Sequence, residues 1–117
     1  MSALSLSLAL PVGLAGHIAL TPPTVAPVLM VSANIEPQTA NLEWTASNKT
    51  SSAGFGYKVE LNIDGAGFNE INTTTNLFYD DARTGTAGET YTYRVRPYNA
   101  AGNGPYSNEA SIILPAT

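Results

Sequence analysis

Gly88-Glu89-Thr90-Tyr91-Thr92-Tyr93-Arg94-Val95-Arg96-Pro97-Tyr98-Asn99-Ala100-Ala101-Gly102 is the stretch that decides the fold. From Glu89 to Tyr98, the residues Tyr91, Tyr93, Val95 and Pro97 alternate with Thr92, Arg94 and Arg96. A period of two places the first set on one face of a β-strand and the second on the other, whereas a helix would scatter both around its axis. Aromatic and β-branched residues suit such a half-buried pleated surface. The glycine-rich run Asn99 to Pro105 then turns the chain, and a partner strand is predicted from Tyr106 to Leu114.

Working outward, the same signature recurs. Phe55, Tyr57, Val59, Leu61 and Ile63 share one face of a strand over residues 55–63, with Lys58, Glu60 and Asn62 opposite. Asp64-Gly65-Ala66-Gly67 reads as a hairpin turn into a return strand from Phe68 to Ile71. Ala40, Leu42 and Trp44 alternate with Asn41, Glu43 and Thr45 in a strand over 40–45, preceded by one from Val28 to Ala33 and a turn at Glu36-Pro37. The polar run Ser47 to Gly54 is a loop, Asn76 to Asp80 a short strand, and Arg83 to Gly88 a crossover between sheets. Seven short strands at this spacing predict an all-β sandwich of two sheets. Its core is predicted to hold Leu42, Trp44, Tyr57, Val59, Tyr91, Tyr93 and Val95, with Trp44 packed on Tyr57.

Several of these segments resemble one family. Leu42-Glu43-Trp44 is similar to the second-strand signature of fibronectin type III domains, with its buried tryptophan, and Gly56-Tyr57-Lys58-Val59-Glu60 to their third strand. Gly88 to Gly102 resembles their sixth strand, with Tyr91 at the tyrosine corner and Asn99 and Gly102 at the Asn-x-x-Gly turn. Gly104-Pro105-Tyr106-Ser107 matches the lead-in to their last strand. The resemblance spans residues 23–115 and implies a seven-stranded immunoglobulin-like (fibronectin type III) sandwich, with the Tyr91 hydroxyl bonded to main chain in the preceding crossover. Pro97 departs from the small residue common at its place and removes one ladder donor.

Composition narrows the function. The 117 residues carry a formal net charge of −4, and only 12% are charged. The five basic residues, Lys49, Lys58, Arg83, Arg94 and Arg96, are too few for a phosphate-neutralising stripe or a polybasic membrane patch. There is no cysteine, hence no disulfide and no thiolate metal site.

The chain divides near residue 22. Residues 1–35 contain no charged side chain. Residues 1–22 read as an apolar N-terminal arm, 23–27 as a proline-rich connector after Pro22, and 28–117 as the sandwich. In the arm, Leu4, Leu6, Leu8 and Leu10 alternate with Ser5, Ser7 and Ala9, so an extended conformation lines all four leucines on one face. A secretory signal peptide lacks its basic start here, since only the α-amino group precedes the apolar run. A membrane helix is interrupted by Pro11, Gly13, Gly16 and His17. The alternation favours a strand that docks on a partner, because four exposed leucines would otherwise invite aggregation.

No catalytic constellation assembles. His17 is the single histidine and lies in the arm. Asp80 and Asp81 are neighbours on a strand, point to opposite faces, and read as turn formers and solvated charges. No cofactor or metal is implied. Lys58, Glu60, Arg94 and Arg96 form a cross-strand charge ladder if their strands pair. Phe55, Tyr98, Asn103 and Tyr106 are the candidate recognition-loop residues, since sandwich loops cluster at one end and carry binding. Asn48-Lys49-Thr50 and Asn72-Thr73-Thr74 are sequons that matter only in a secretory pathway.

Three function classes remain. The first is a structural subunit of a large assembly in a virion or on an extracellular surface. It docks through the arm to protein subunits of a capsid, tail or filament, or to other copies of itself, and displays the sandwich, as fibronectin type III-like modules on phage particles do. Strand donation into a filament is the close variant. The second is a secreted adhesion or cell-surface glycan-binding module with residues 1–20 removed as a signal. The third, an enzyme, lacks a convergent acid, base and nucleophile.

Overall fold

The alternation that marks residues 89–98 becomes the central strand of the molecule. The computed structural model describes residues 20–35, 38–51, 53–82 and 88–113. Strands β1 (Leu29–Ile35), β2 (Gln38–Trp44) and β5 (Phe78–Ala82) form an antiparallel three-stranded sheet with β2 in the middle. Strands β4 (Phe68–Thr74), β3 (Gly56–Ile63) and β6 (Thr90–Asn99) follow one another in the second sheet. The short β7 (Gly102–Asn103) and β8 (Ala110–Ile113) both pair with the far side of β6. The fold is the all-β, immunoglobulin-like two-sheet sandwich.

The two inner faces interdigitate. Leu29, Ala40, Leu42 and Trp44 meet Tyr57, Val59, Leu61, Tyr91, Tyr93 and Val95, all buried. Trp44 and Tyr57 pack with tilted rings 5.7 Å apart, and Phe55 adds an edge-on contact to Tyr57 at 5.4 Å. Tyr57 also accepts the backbone N–H of Ser47 at its hydroxyl (2.9 Å), so the same ring closes the loop after β2. The Trp44 indole N–H is buried without a hydrogen-bond partner. The Tyr91 hydroxyl donates to the Glu89 carboxylate at 2.9 Å, and the crossover residues 83–87, where the sequence predicts its main-chain partner, lie outside the described residues.

Three differences from the sequence expectations have physical causes. First, the final strand starts at Ala110 instead of Tyr106, and the hairpin adds the separate β7. Pro97 shows why: its carbonyl accepts the Gly104 N–H at 2.7 Å, so its missing donor faces the returning chain and not β3. The β3–β6 ladder therefore runs unbroken from Gly56–Tyr98 to Ile63–Tyr91. On the other side, the Ser107 hydroxyl replaces a backbone carbonyl by accepting the Val95 N–H, and the register slips by two residues between Tyr98–Asn103 and Tyr93–Ala110.

Second, β5 starts at Phe78 rather than Asn76, because residues 75–77 bend and the Leu77 carbonyl accepts the Trp44 N–H. Third, Asp81 is not a solvated turn residue. It lies inside β5, 5% exposed, and accepts a hydrogen bond from the Tyr93 hydroxyl at 2.6 Å, while Asp80 faces solvent.

The hairpin at Asp64-Gly65 forms where it is predicted. Both residues have positive φ, and the Asp64 carboxylate accepts the Thr90 N–H, fastening the turn to the start of β6.

Candidate functional site

The loops at the β2–β3 and β6–β7 end of the sandwich hold the connector. Running back from β1, the Val28 N–H is accepted by the Thr45 hydroxyl, and the Ser47 hydroxyl donates to the Val25 carbonyl. Asn48 is the central clamp. Its Oδ1 accepts the backbone N–H groups of Thr24 (2.9 Å) and Val25 (3.1 Å), while its amide donates to the Thr24 hydroxyl. Thr50 and Asn99 both donate to the Thr21 carbonyl. Pro23 and Pro27 are buried. Residues 21–28 are thus a strap that starts against Asn99 and Gly102 in the five-stranded sheet and crosses the sandwich end to β1 in the other.

Gly104 makes the crossing possible. A Cβ built there would meet the Pro23 carbonyl oxygen at 2.6 Å and the Pro97 ring at 2.8 Å. Asn99, placed by sequence at the turn after β6, spends its amide on the strap and its Oδ1 on the Ala101 N–H.

The candidate recognition residues do not form one cluster. Phe55 packs on Tyr57, with the Lys49 ammonium 5.4 Å from its ring centre. Tyr98 lies across Gly56 under Lys58, and Asn103 is exposed. Tyr106 turns away from the loop and lies on the outer face of β6, with the guanidinium groups of Arg94 and Arg96 at 3.7 and 3.9 Å from its ring centre. Its hydroxyl donates to Glu60 and accepts from Arg96. Arg94 pairs with Glu60 at 2.8 Å and also covers the Phe68 ring. The charge ladder read from Glu60, Arg94 and Arg96 is therefore an interleaved cation–aromatic stack, with Lys58 set apart over Tyr98.

A third surface has no counterpart in the sequence reading. On the outer face of the three-stranded sheet, Met30, Glu43 and Phe78 stand in one register row. Met30 is 65% and Phe78 53% exposed, and Val28 and Leu77 extend the apolar patch. A shallow depression of about 300 Å3 beside the row is lined by Met30, Val31, Ser32, Asn41 and Glu43. The signal was present in the apolar run Val28 to Val31, but a run apolar on both phases does not say which face is covered.

The arm residues Leu4, Leu6, Leu8 and Leu10, and His17, lie outside the described residues. Among the described residues, no three His, Cys, Asp or Glu side chains converge as a metal site.

The model of the Fibronectin type III domain family matches residues 22–113, from the strap through β8. Solved structures share the fold. The twitchin kinase region from C. elegans is 19% identical over 81% of this chain and 17% of its own, with a TM-score of 0.67. The titin kinase with its flanking domains is 20% identical over 80% of this chain and 17% of its own, at 0.64. This chain thus spans about a sixth of either of those proteins. A Fn3-like protein from Clostridium thermocellum is 26% identical over 86% of this chain and 98% of its own, at 0.59. No curated protein sequence matches the chain. The matched model, the strand order and the positions of Trp44, Tyr91, Asn99 and Gly102 lead to one conclusion: this chain belongs to the fibronectin type III family of non-catalytic structural and adhesion modules.

Proposed function

We propose that the protein is a non-catalytic structural subunit of a large assembly, anchored through its uncharged N-terminal arm and displaying the sandwich, in the manner of a phage capsid-decoration, tail or fibre component. Its partners are protein subunits. One observation carries this reading: the strap of residues 21–28 is fastened to both sheets, so the arm before it is rooted at a fixed point of a rigid domain. A charge-free segment with four leucines alternating in its sequence, rooted in this way, is built to be buried against a neighbour.

Deleting residues 1–19 tests it. The cut spares Thr21, whose carbonyl closes the strap. The truncated domain is expected to keep its melting transition and to be lost from the purified native assembly. Its retention there in normal amounts overturns the reading.

A second reading has one observation in its favour. The clamp is complete from Thr21 onward, so removal of residues 1–20 on export would leave the domain whole as a secreted adhesion or glycan-binding module. N-terminal sequencing of the mature protein distinguishes the two: a start at Met1 or Ser2 supports the anchored subunit, and a start near Thr21 supports secretion.

A further inference from the structure

We propose that the outer face of the three-stranded sheet is the receptor for residues 4–10 of a second copy of this chain. The inference rests on the arm acting in assembly and names its docking partner. One end of the face is apolar where a monomer's surface is normally polar: Val28, Met30, Leu77 and Phe78 are exposed there, and Met30 and Phe78 flank Glu43 in one row, with Ser32, Asn41 and Asp80 in the next. Exposed apolar patches of this kind mark interaction surfaces.

Two observations point to the arm as occupant. The first is charge. Glu43 sits at the centre of the patch, so two such faces placed together would oppose carboxylates in a protein already at −4. The arm brings no charge of its own. The second is length: β1 and β2 are seven residues each, and an extended Leu4-to-Leu10 segment is the same seven residues, about 23 Å.

The strap sets where the arm begins. It carries the chain from β1 across the end of the sandwich, so that Leu20 emerges beside Thr50 and Asn99, at the five-stranded sheet, whereas Met30 and Phe78 belong to the other sheet. An arm-to-face contact between copies is head-to-tail, and it closes into a ring or continues as a filament.

Sedimentation of the full-length chain tests the proposal. The wild-type chain is expected to self-associate, and both Met30→Glu/Phe78→Glu and Leu6→Asp/Leu8→Asp to weaken association by about tenfold or more. Mixed together, the two variants are expected to form a 1:1 dimer and nothing larger, because one supplies an intact arm and the other an intact face. Because the natural chain has no cysteine, a second measurement uses single cysteines on the two facing surfaces. Chains carrying Leu10→Cys, at the end of the arm's leucine face, mixed with chains carrying Ser32→Cys, are expected to cross-link between copies on oxidation. A face variant that associates as well as wild type overturns the proposal while leaving the arm's role in assembly intact. So does a full-length chain that stays monomeric at hundreds of micromolar yet joins its native assembly.

Discussion

The Tyr93 hydroxyl donates to Oδ2 of Asp81 across the interior of the sandwich at 2.6 Å, joining β6 of one sheet to edge strand β5 of the other. At the edge of the sandwich Asn108 also joins the sheets through two hydrogen bonds to the Leu29 backbone, but around Tyr93 the core is apolar, so the Tyr93–Asp81 bond is a directional tie within a non-directional core. A buried carboxylate is tolerated only when hydrogen-bonded, and a bond to a charged acceptor contributes more than a neutral one. Tyr93→Phe, which keeps the ring, is expected to cost about 1.5–3 kcal/mol. Urea unfolding measures it. A loss under about 0.5 kcal/mol, within the range of an inert surface change, means the bond adds nothing to stability.

Trp44 combines the largest ring of the core with a buried indole N–H that has no partner. Trp44→Ala removes the packing against Tyr57 and is expected to cost about 3–5 kcal/mol. Trp44→Phe also leaves a smaller gap, but it removes the unsatisfied donor. Its expected cost is under about 2 kcal/mol, since the buried N–H was itself unfavourable. A loss above about 3 kcal/mol for Trp44→Phe in a thermal melt would show that removing the unpaired N–H brings no compensating gain.

What was legible follows from the range of the forces involved. The inward faces of β2, β3 and β6 could be read because every second residue of 40–44, 57–61 and 91–97 is apolar, and the period alone sets the face. The strap could not. Its proline content announces an extended segment, but Asn48 lies 24 residues from Thr24, and Asn99 78 residues from Thr21. Nothing local marks those side chains as clamps. From sequence, two adjacent acidic residues at 80–81 resemble a turn, and only the cross-sheet hydroxyl of Tyr93 makes the inward carboxylate of Asp81 tolerable. From sequence Tyr106 reads as a loop aromatic, because its partners Arg94, Arg96 and Glu60 meet it only once β3 and β6 pair.

Gly104 tests how firmly the strap is held. Gly104→Ala places a methyl carbon where the Pro23 carbonyl and Pro97 ring already sit, both nearer than 3 Å. The strap, not the central strand, gives way. The expected cost is about 1–3 kcal/mol, in the range of overpacked cores. Amide exchange locates the change. The N–H groups of Thr24 and Val25, held by Asn48, are expected to lose protection, while those of Val59 and Val95 keep theirs. Uniform loss across the domain would mean that the strap and the sandwich unfold as one unit.

The stack on the outer face of β6 separates two kinds of contact. Tyr106→Phe keeps the ring between Arg94 and Arg96 but removes the hydroxyl bonds to Glu60 and Arg96. Tyr106→Ala removes both. Each cation–aromatic contact at a partly exposed site contributes about 0.5–1 kcal/mol, so the alanine variant is expected to be less stable than the phenylalanine variant by about 1–2 kcal/mol. The Glu60–Arg94 pair is accessible to solvent on its arginine side, with 25% of the Arg94 side chain and 12% of the Glu60 side chain exposed. Glu60→Gln is therefore expected to cost no more than about 1 kcal/mol, less in high salt, because exposed pairs are weak and screened. Chemical unfolding in urea at low and high ionic strength reads all three. If the alanine and phenylalanine variants unfold at the same urea concentration, the ring contributes nothing and the stack is held by its hydrogen bonds alone.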